Sequence, residues 1–291
     1  MKLLLLGGTR FVGRHFAEAA LAQGHDLTLF HRGQTNPGLF PGAREVLGDR
    51  DVALPADRWD AVLDFCGYVP RQVRRSAAEI EADLYVFISS ISVYADFRVR
   101  GLTEEAPVKQ PKRETEEVTP ETYGWLKALC ERELEGRRSL IVRPGILVGP
   151  HDYTGRFTYW PWRVAQGGEV LAQGRPGRPV QLLDARDLAV WLLQMVEKGK
   201  TGTFNATGPE RPLTMGELLA TCREVTGSDA VFTWVDRDLD LPLWIPEEKS
   251  GFDSIDNGKA RTEGLTFHPL AETILDTLAW VESDPEGRAP R

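Results

Sequence analysis

The sequence predicts an α/β protein, a doubly wound parallel sheet with a smaller C-terminal lobe. Three observations point there. Short apolar runs alternate with amphipathic stretches through the first half, as strands joined by covering helices do. A glycine-rich turn, Gly7-Gly-Thr-Arg-Phe-Val-Gly13, separates the first apolar run from the first amphipathic stretch. The 291 residues, 42% of them hydrophobic, suffice for one large core and a second lobe.

Taken in order, Lys2–Leu6 is apolar without alternation, as expected of a strand covered on both faces. Residues 11–23 place Phe11, Val12, Phe16, Ala19 and Ala20 on one helix side, and Gly24 marks the stop. Residues 26–30, 60–65 and 84–89 read as further strands, with another ahead of Asp49. Residues 139–144 complete the series after the helix-compatible run 122–133. Residues 96–122 are polar, charged and proline-containing, a long connection of the kind that lines a binding site. Beyond Gly149 the pattern changes. Residues 180–183 and 203–205 read as strands that revisit the sheet. Thr214-Met-Gly-Glu217 is a capping box opening a helix through Thr226. Leu270, Ile274, Leu275 and Leu278 fall at helical spacing in a closing core helix. The expected division is a dinucleotide-binding domain over 1–150 and a mainly substrate-binding lobe over 151–291.

Composition narrows the function. A net charge of −8 without a basic tract argues against a nucleic-acid partner. No run approaches the ~20 apolar residues that cross a membrane, and Met1-Lys-Leu-Leu-Leu-Leu6 is too short for a signal peptide. Cys66, Cys130 and Cys222 are scattered and lack a Cys-x-x-Cys pair. That argues against a disulfide framework or a metal site and suits a cytoplasmic location.

The glycine turn sits where backbone N–H groups and a helix N-terminus can face a pyrophosphate. Gly7 allows the tight turn and Gly13 the close packing of helix on strand, and Thr9, Arg10, Phe11 and Val12 fall between them. Arg10 replaces the glycine that would let a phosphate approach, and its guanidinium can pair with phosphate oxygens. The second strand ends Leu29-Phe-His31-Arg32-Gly33, with no acid to bind ribose hydroxyls. NADP is therefore expected, with Arg32 and Arg10 as candidates to contact its 2′-phosphate and His31 as a further cofactor contact, while NAD stays open. Asp49, beside Arg50, is placed to bond the adenine, and Cys66 and Gly67 should pass near the nicotinamide ribose.

Tyr123 and Lys127 share a helix face at i, i+4. A free tyrosine has a pKa of roughly 10, and a cation about 4–6 Å away favours the phenolate. Upstream, Tyr85-Val-Phe-Ile-Ser-Ser-Ile-Ser-Val-Tyr94 is an apolar strand ending in hydroxyls, where open α/β sheets bind ligands. Ser90 is expected to bond a substrate oxygen, Tyr123 to transfer the proton, and Lys127 to hold the cofactor ribose and depress the phenol's pKa.

In these motifs the chain resembles the short-chain dehydrogenase/reductase superfamily, and within it the extended NAD-dependent epimerase/dehydratase family. The carriers are the glycine turn, Ser89-Ser-Ile-Ser-Val-Tyr94, Glu105-Ala-Pro107, Tyr123-Gly-Trp-Leu-Lys127, Arg143-Pro-Gly-Ile-Leu-Val-Gly-Pro150 and Asp184-Ala-Arg-Asp-Leu-Ala189. The resemblance implies a Rossmann-type domain, Ser90, Tyr123 and Lys127 as catalytic residues, a sugar or related small-molecule substrate, and often a homodimer. Ile91 and Ser92 occupy positions where family dehydratases carry an Asp-Glu pair. Gly145-Ile-Leu147 lacks the asparagine that bonds the diphosphate in many sugar-nucleotide members. Arg10 also resembles a divergent branch that includes chloroplast stem-loop-binding proteins, some of which bind RNA. Epimerase and reductase both remain open, beside a non-catalytic dinucleotide-binding or RNA-binding relative.

On the substrate side, Arg156-Phe-Thr-Tyr-Trp-Pro-Trp-Arg163 gathers four aromatics and two arginines in eight residues. It reads either as a pocket wall, with Trp160 against a sugar face and Arg156 or Arg163 on an anion, or as glue between the lobes. Ser92, Tyr94 and His151 are further expected substrate contacts.

Overall fold

The structure, a computed structural model, describes residues 1–237 and 239–283. Its elements in chain order begin β1 (Lys2–Leu6), α1 (Phe11–Ala22), β2 (Asp26–His31), β3 (Arg44–Leu47), β4 (Arg58–Asp64), α2 (Pro70–Glu79) and β5 (Glu81–Ile88). After a 3-10 turn at Ile91–Val93 come α3 (Tyr123–Arg132), β6 (Ser139–Pro144), β7 (Ile146–Val148), α4 (Tyr159–Ala165), β8 (Glu169–Gln173), β9 (Pro179–Val180) and β10 (Leu182–Asp184). The chain continues through α5 (Ala185–Glu197), β11 (Gly202–Ala206), β12 (Leu213–Thr214), α6 (Met215–Thr226) and β13 (Val231–Val235). A second 3-10 segment, Glu247–Asp253, precedes α7 (Gly258–Thr262) and α8 (Leu270–Ser283).

Seven strands form one sheet in the order β11-β6-β5-β4-β1-β2-β3, with every neighbouring pair parallel. The order reverses between β1 and β4, so the crevice beyond their carboxyl ends is the natural ligand position. The leucines of β1 show why this strand is central. Leu3 and Leu5 join the core beneath α1 and α5, while Leu4 and Leu6 join Val73, Ala77 and Cys130 beneath α2 and α3. All four are at most 1% exposed, and each buried leucine contributes about 2 kcal/mol of transfer free energy.

A second core gathers Phe157, Trp160, Val164, Val170, Leu218, Leu219, Cys222 and Ile274. The two cores interleave along the chain. Leu183, Leu188, Leu192 and Phe204, all beyond residue 150, pack on the large sheet. β11 rejoins that sheet beside β6 as expected. Residues 180–183 do not. They divide at Gln181, whose amide exchanges hydrogen bonds with the Ile255 backbone (2.9 and 3.0 Å). β9 then pairs with β12, and β10 with β7. The capping box at Thr214 and Glu217 forms, with both reciprocal bonds present. In α8 the buried stripe is Thr273, Ile274, Thr277 and Val281, while Leu275 turns outward at 47% exposure. Among the described residues no helix is long and apolar enough to cross a membrane.

Candidate active site

The floor of the crevice is the turn after β1. Gly7 and Gly8 adopt φ of +91° and +95°, which side-chain-bearing residues rarely take. A Cβ on Gly13 would lie 2.6 Å from the Gly8 Cα, so α1 abuts the turn directly. The Arg10 carbonyl accepts the N–H groups of Gly13 and Arg14 (3.1 and 3.4 Å). Those of Phe11 and Val12 lie at the helix start, outside its own ladder, while their side chains are buried. Thr9 is buried and its carbonyl accepts the Asn36 amide (2.9 Å). A strand-to-helix junction with its first N–H groups outside the ladder and an exposed arginine beside them suits an anionic dinucleotide.

The rim differs in part from expectation. His31 is tied down, its Nδ1 accepting the Gly33 N–H (3.0 Å) and its Nε2 lying 2.8 Å from Glu45 of β3. A carboxylate is thus present beside the end of β2 after all, supplied by the neighbouring strand. Arg32 is exposed. Asp49 closes a local turn by accepting the Asp51 N–H (2.9 Å). Arg50, expected to face a cofactor, points inward. It grips the fully buried Asp64 through two nitrogens (2.8 and 2.9 Å) and also donates to the Ser76 hydroxyl and the Gln72 carbonyl. Asp64 in turn accepts the Cys66 N–H (3.1 Å) and holds the turn that carries Gly67. Burial, with the Asp64 charge beside it, pushes the Cys66 thiol up to about 11.

Ser90 follows the end of β5. Its hydroxyl oxygen accepts the Ser92 N–H (3.1 Å), which sets the 3-10 turn, and the same hydroxyl acts to lower the Tyr123 phenol's pKa. Gly124 is what lets α3 come so close, since a Cβ there would sit 2.2 Å from the Ser92 carbonyl oxygen. Lys127 departs from its expected duty toward Tyr123. Its ammonium is buried and donates to the carbonyls of Gly67 and Ile88, both at 2.7 Å. The rings of Phe87 and Tyr68 stand 4.6 and 5.0 Å from it. Burial lowers its pKa. Burial likewise raises the Tyr123 phenol, against the opposing pull of the Ser90 hydroxyl and the Arg156 charge. The Arg156 charge acts to lower the phenol, and Lys127 ties α3 to the ends of β4 and β5.

Behind the crevice lies a buried polar chain that sequence reading missed. The Ser89 hydroxyl donates to Glu131 (2.5 Å), and Arg143 meets the same carboxylate through two nitrogens (2.6 and 3.0 Å). Arg143 also donates to the Tyr94 hydroxyl (3.1 Å), which donates to Asn205 (2.5 Å). Tyr94 is thus completely buried and not a substrate contact. Trp160 is likewise core, 1% exposed, with its indole N–H on the Pro242 carbonyl (3.1 Å). Arg163 donates to the carbonyls of Gly167 and Glu169 and closes the end of α4. His151 packs against His15 and Trp280, with ring centroids at 5.6 and 5.5 Å, on the far side of α1's first turn. Ser92, half-buried, and the exposed Arg156 remain at the crevice. Tyr68 and Tyr153 join them unforeseen. Tyr68 lies 6.5 Å from the Tyr123 ring, and its place straight after Cys66-Gly67 at a strand end was the available signal.

A parallel sheet that reverses between β1 and β4, with a glycine turn at the reversal, defines a dinucleotide-binding α/β fold. No protein-family model matches the chain. The chain is 25% identical to the chloroplast stem-loop binding protein of 41 kDa b from Arabidopsis thaliana, over 78% of this chain but only 63% of that protein. It is also 25% identical to the UDP-glucose 4-epimerase of Lactobacillus helveticus, over 99% of each. Among solved structures, UDP-glucose 4-epimerase from Bifidobacterium longum in complex with NAD+ and UDP superposes with a TM-score of 0.71 at 19% identity, covering 99% of this chain and 100% of that one. The chain thus shares its fold with the Bifidobacterium epimerase and a whole-length sequence likeness with the Lactobacillus one.

Proposed function

We propose that the protein is a dinucleotide-dependent epimerase acting at a secondary alcohol of a sugar or sugar derivative. The observation that carries this is that α3, brought against the Ser90–Val93 turn at Gly124, sets Tyr123 beside Ser90 at the carboxyl end of β5, one helical turn from Lys127. The nicotinamide supplies the hydride acceptor and donor when bound. Gly7, Gly13 and the first turn of α1 would hold its diphosphate. Ser90 Oγ would hydrogen-bond the reacting oxygen of the substrate, and Tyr123 Oη would give and take its proton. Lys127, anchored to Gly67 and Ile88, fixes the helix that presents Tyr123 and leaves its third N–H for a ribose hydroxyl.

NAD, rather than the NADP expected from strand β2, is the cofactor we favour. The Glu45 carboxylate beside His31 would repel a 2′-phosphate, and the Bifidobacterium relative is described with NAD+. Arg32 pulls the other way, so parallel titrations with NADH and NADPH decide, and tighter NADPH binding would reverse this choice. Ile91 and Ser92 offer no acid–base pair for dehydration, which leaves inversion or simple reduction. The test is a panel of sugars and nucleotide sugars, followed for both reduced-nicotinamide absorbance and product stereochemistry. Inversion without net cofactor consumption is expected. Net oxidation of added cofactor would make the protein a reductase instead. The likeness to a stem-loop binding protein supports a second reading, RNA binding without turnover. It predicts that Tyr123→Phe changes nothing measurable, and the net charge of −8 weighs against it.

A further inference from the structure

The segment 149–155 leaves β7 and crosses over the first turn of α1, and it is fastened there at several points. The Tyr153 ring lies flat beneath the Arg10 guanidinium, whose central carbon is 3.5 Å from the ring centroid. The same ring meets the edge of Phe11, with centroids 6.3 Å apart at 85°. One turn along, His15 Nε2 contacts the Pro150 carbonyl (3.0 Å), and His151 packs on the His15 ring. The crossing is bracketed by Gly149 and Gly155, both at positive φ. The Tyr153 ring thus adjoins the first residues of the glycine turn and of α1.

A guanidinium stacked on an aromatic face keeps its N–H donors free in the ring-parallel plane. Among the described residues no carboxylate pairs with Arg10. We propose that Arg10 and Tyr153 form a two-part clamp on the dinucleotide's diphosphate, Arg10 by direct contact and Tyr153 by fixing Arg10 and closing the crossing segment over it. The inference rests on the functional reading above and adds its kinetic consequence. Exchange requires the segment to lift, so the cofactor is retained between turnovers, as a self-regenerating epimerase needs and a reductase does not.

The test is release of NADH from preloaded protein, chased with excess NAD+ and followed by nicotinamide fluorescence. Tyr153→Ala and Arg10→Ala should each release NADH on the order of tenfold faster. The double variant should be no faster than Arg10→Ala, and Tyr153→Phe, which keeps the ring, should match the wild type. Release from Tyr153→Ala at the wild-type rate, or additive effects in the double variant, would overturn the clamp while leaving the functional reading intact. Tyr153 is 45% exposed, so these variants should fold. If the wild type takes up no NADH, the functional reading falls and the clamp falls with it.

Discussion

Two regions rich in functional-looking residues behave in opposite ways. The carboxyl ends of β4 and β5 carry short polar groups on rigid strands, and there Ser90, Ser92 and the start of α3 with Tyr123 come together. The segment 156–163 carries larger and more conspicuous side chains, yet Phe157 and Trp160 are at most 1% exposed and Arg163 is spent on its own helix end. Arg156 alone reaches the site. A strand end in a parallel sheet leaves its last residues uncovered because the crossover must depart there. An aromatic cluster with no such geometric exit minimises its area by packing.

The largest expected effect tests the second half of that contrast. Trp160→Ala should destabilise the fold by roughly 3–5 kcal/mol, measured by urea unfolding. A variant of unchanged stability but weakened substrate binding would return Trp160 to the pocket wall. Arg156→Ala, nearby but exposed, should leave stability within about 0.5 kcal/mol of the wild type.

The regions also differ in their buried charges. Arg50–Asp64 and Arg143–Glu131 are two-pronged pairs, whereas Arg178 and Asp253 in the second lobe stand 3.6 Å apart, with Arg178 Nε and Asp253 Oδ1 lacking hydrogen-bond partners among the described residues. Burial holds Asp253 up at about 6, while Arg50 and further hydrogen bonds depress Asp64 against the same burial. The signs are therefore opposite. Asp64 stabilises the fold above its unfolded pKa, a contribution lost as pH falls through its folded value. Asp253 penalises the fold when ionised, so its contribution is present below about pH 4 and lost as pH rises through about 6. Relative to Asp253→Asn, the wild type should gain up to roughly 3 kcal/mol on acidification from pH 7 to 4, seen as a pH-dependent difference in melting temperature. A constant difference would contradict the assignment.

Gly124→Ala probes the first region. Forcing α3 away from the Ser92 carbonyl separates Tyr123 from Ser90, and turnover should fall about 10²-fold in a protein whose far-UV circular dichroism is unchanged. Retained turnover would mean that this close approach is unimportant.

Much of the first region was legible because it follows from short-range rules. The unbroken apolar run of β1, the glycine turn and the i, i+4 spacing of Tyr123 and Lys127 are all local patterns. What stayed hidden depends on partners distant in sequence. Arg50 reads as a crevice residue until Asp64 is placed beneath it, and Tyr94 as a substrate contact until Arg143 and Asn205 surround its hydroxyl. The spacing that put Lys127 beside Tyr123 holds, but the carbonyls of Gly67 and Ile88 compete for the ammonium and win it. Residues 180–183 had strand character without a strand's place in the large sheet, because the Gln181 amide serves the Ile255 backbone instead.

A smaller effect separates the two cations near the phenol. Arg156→Ala should move the Tyr123 titration upward, since its charge lowers a phenol that burial has raised. The basic limb of the pH–rate profile should then shift to higher pH, while an unshifted limb would leave Lys127 as the controlling charge.

The most direct measurement is epimerisation by Tyr123→Phe beside the wild type, on whichever substrate the panel identifies and with NADH binding recorded in parallel. The account predicts unchanged NADH binding and a fall in turnover of about 10²–10⁴-fold. Turnover at the wild-type rate in the variant would contradict it.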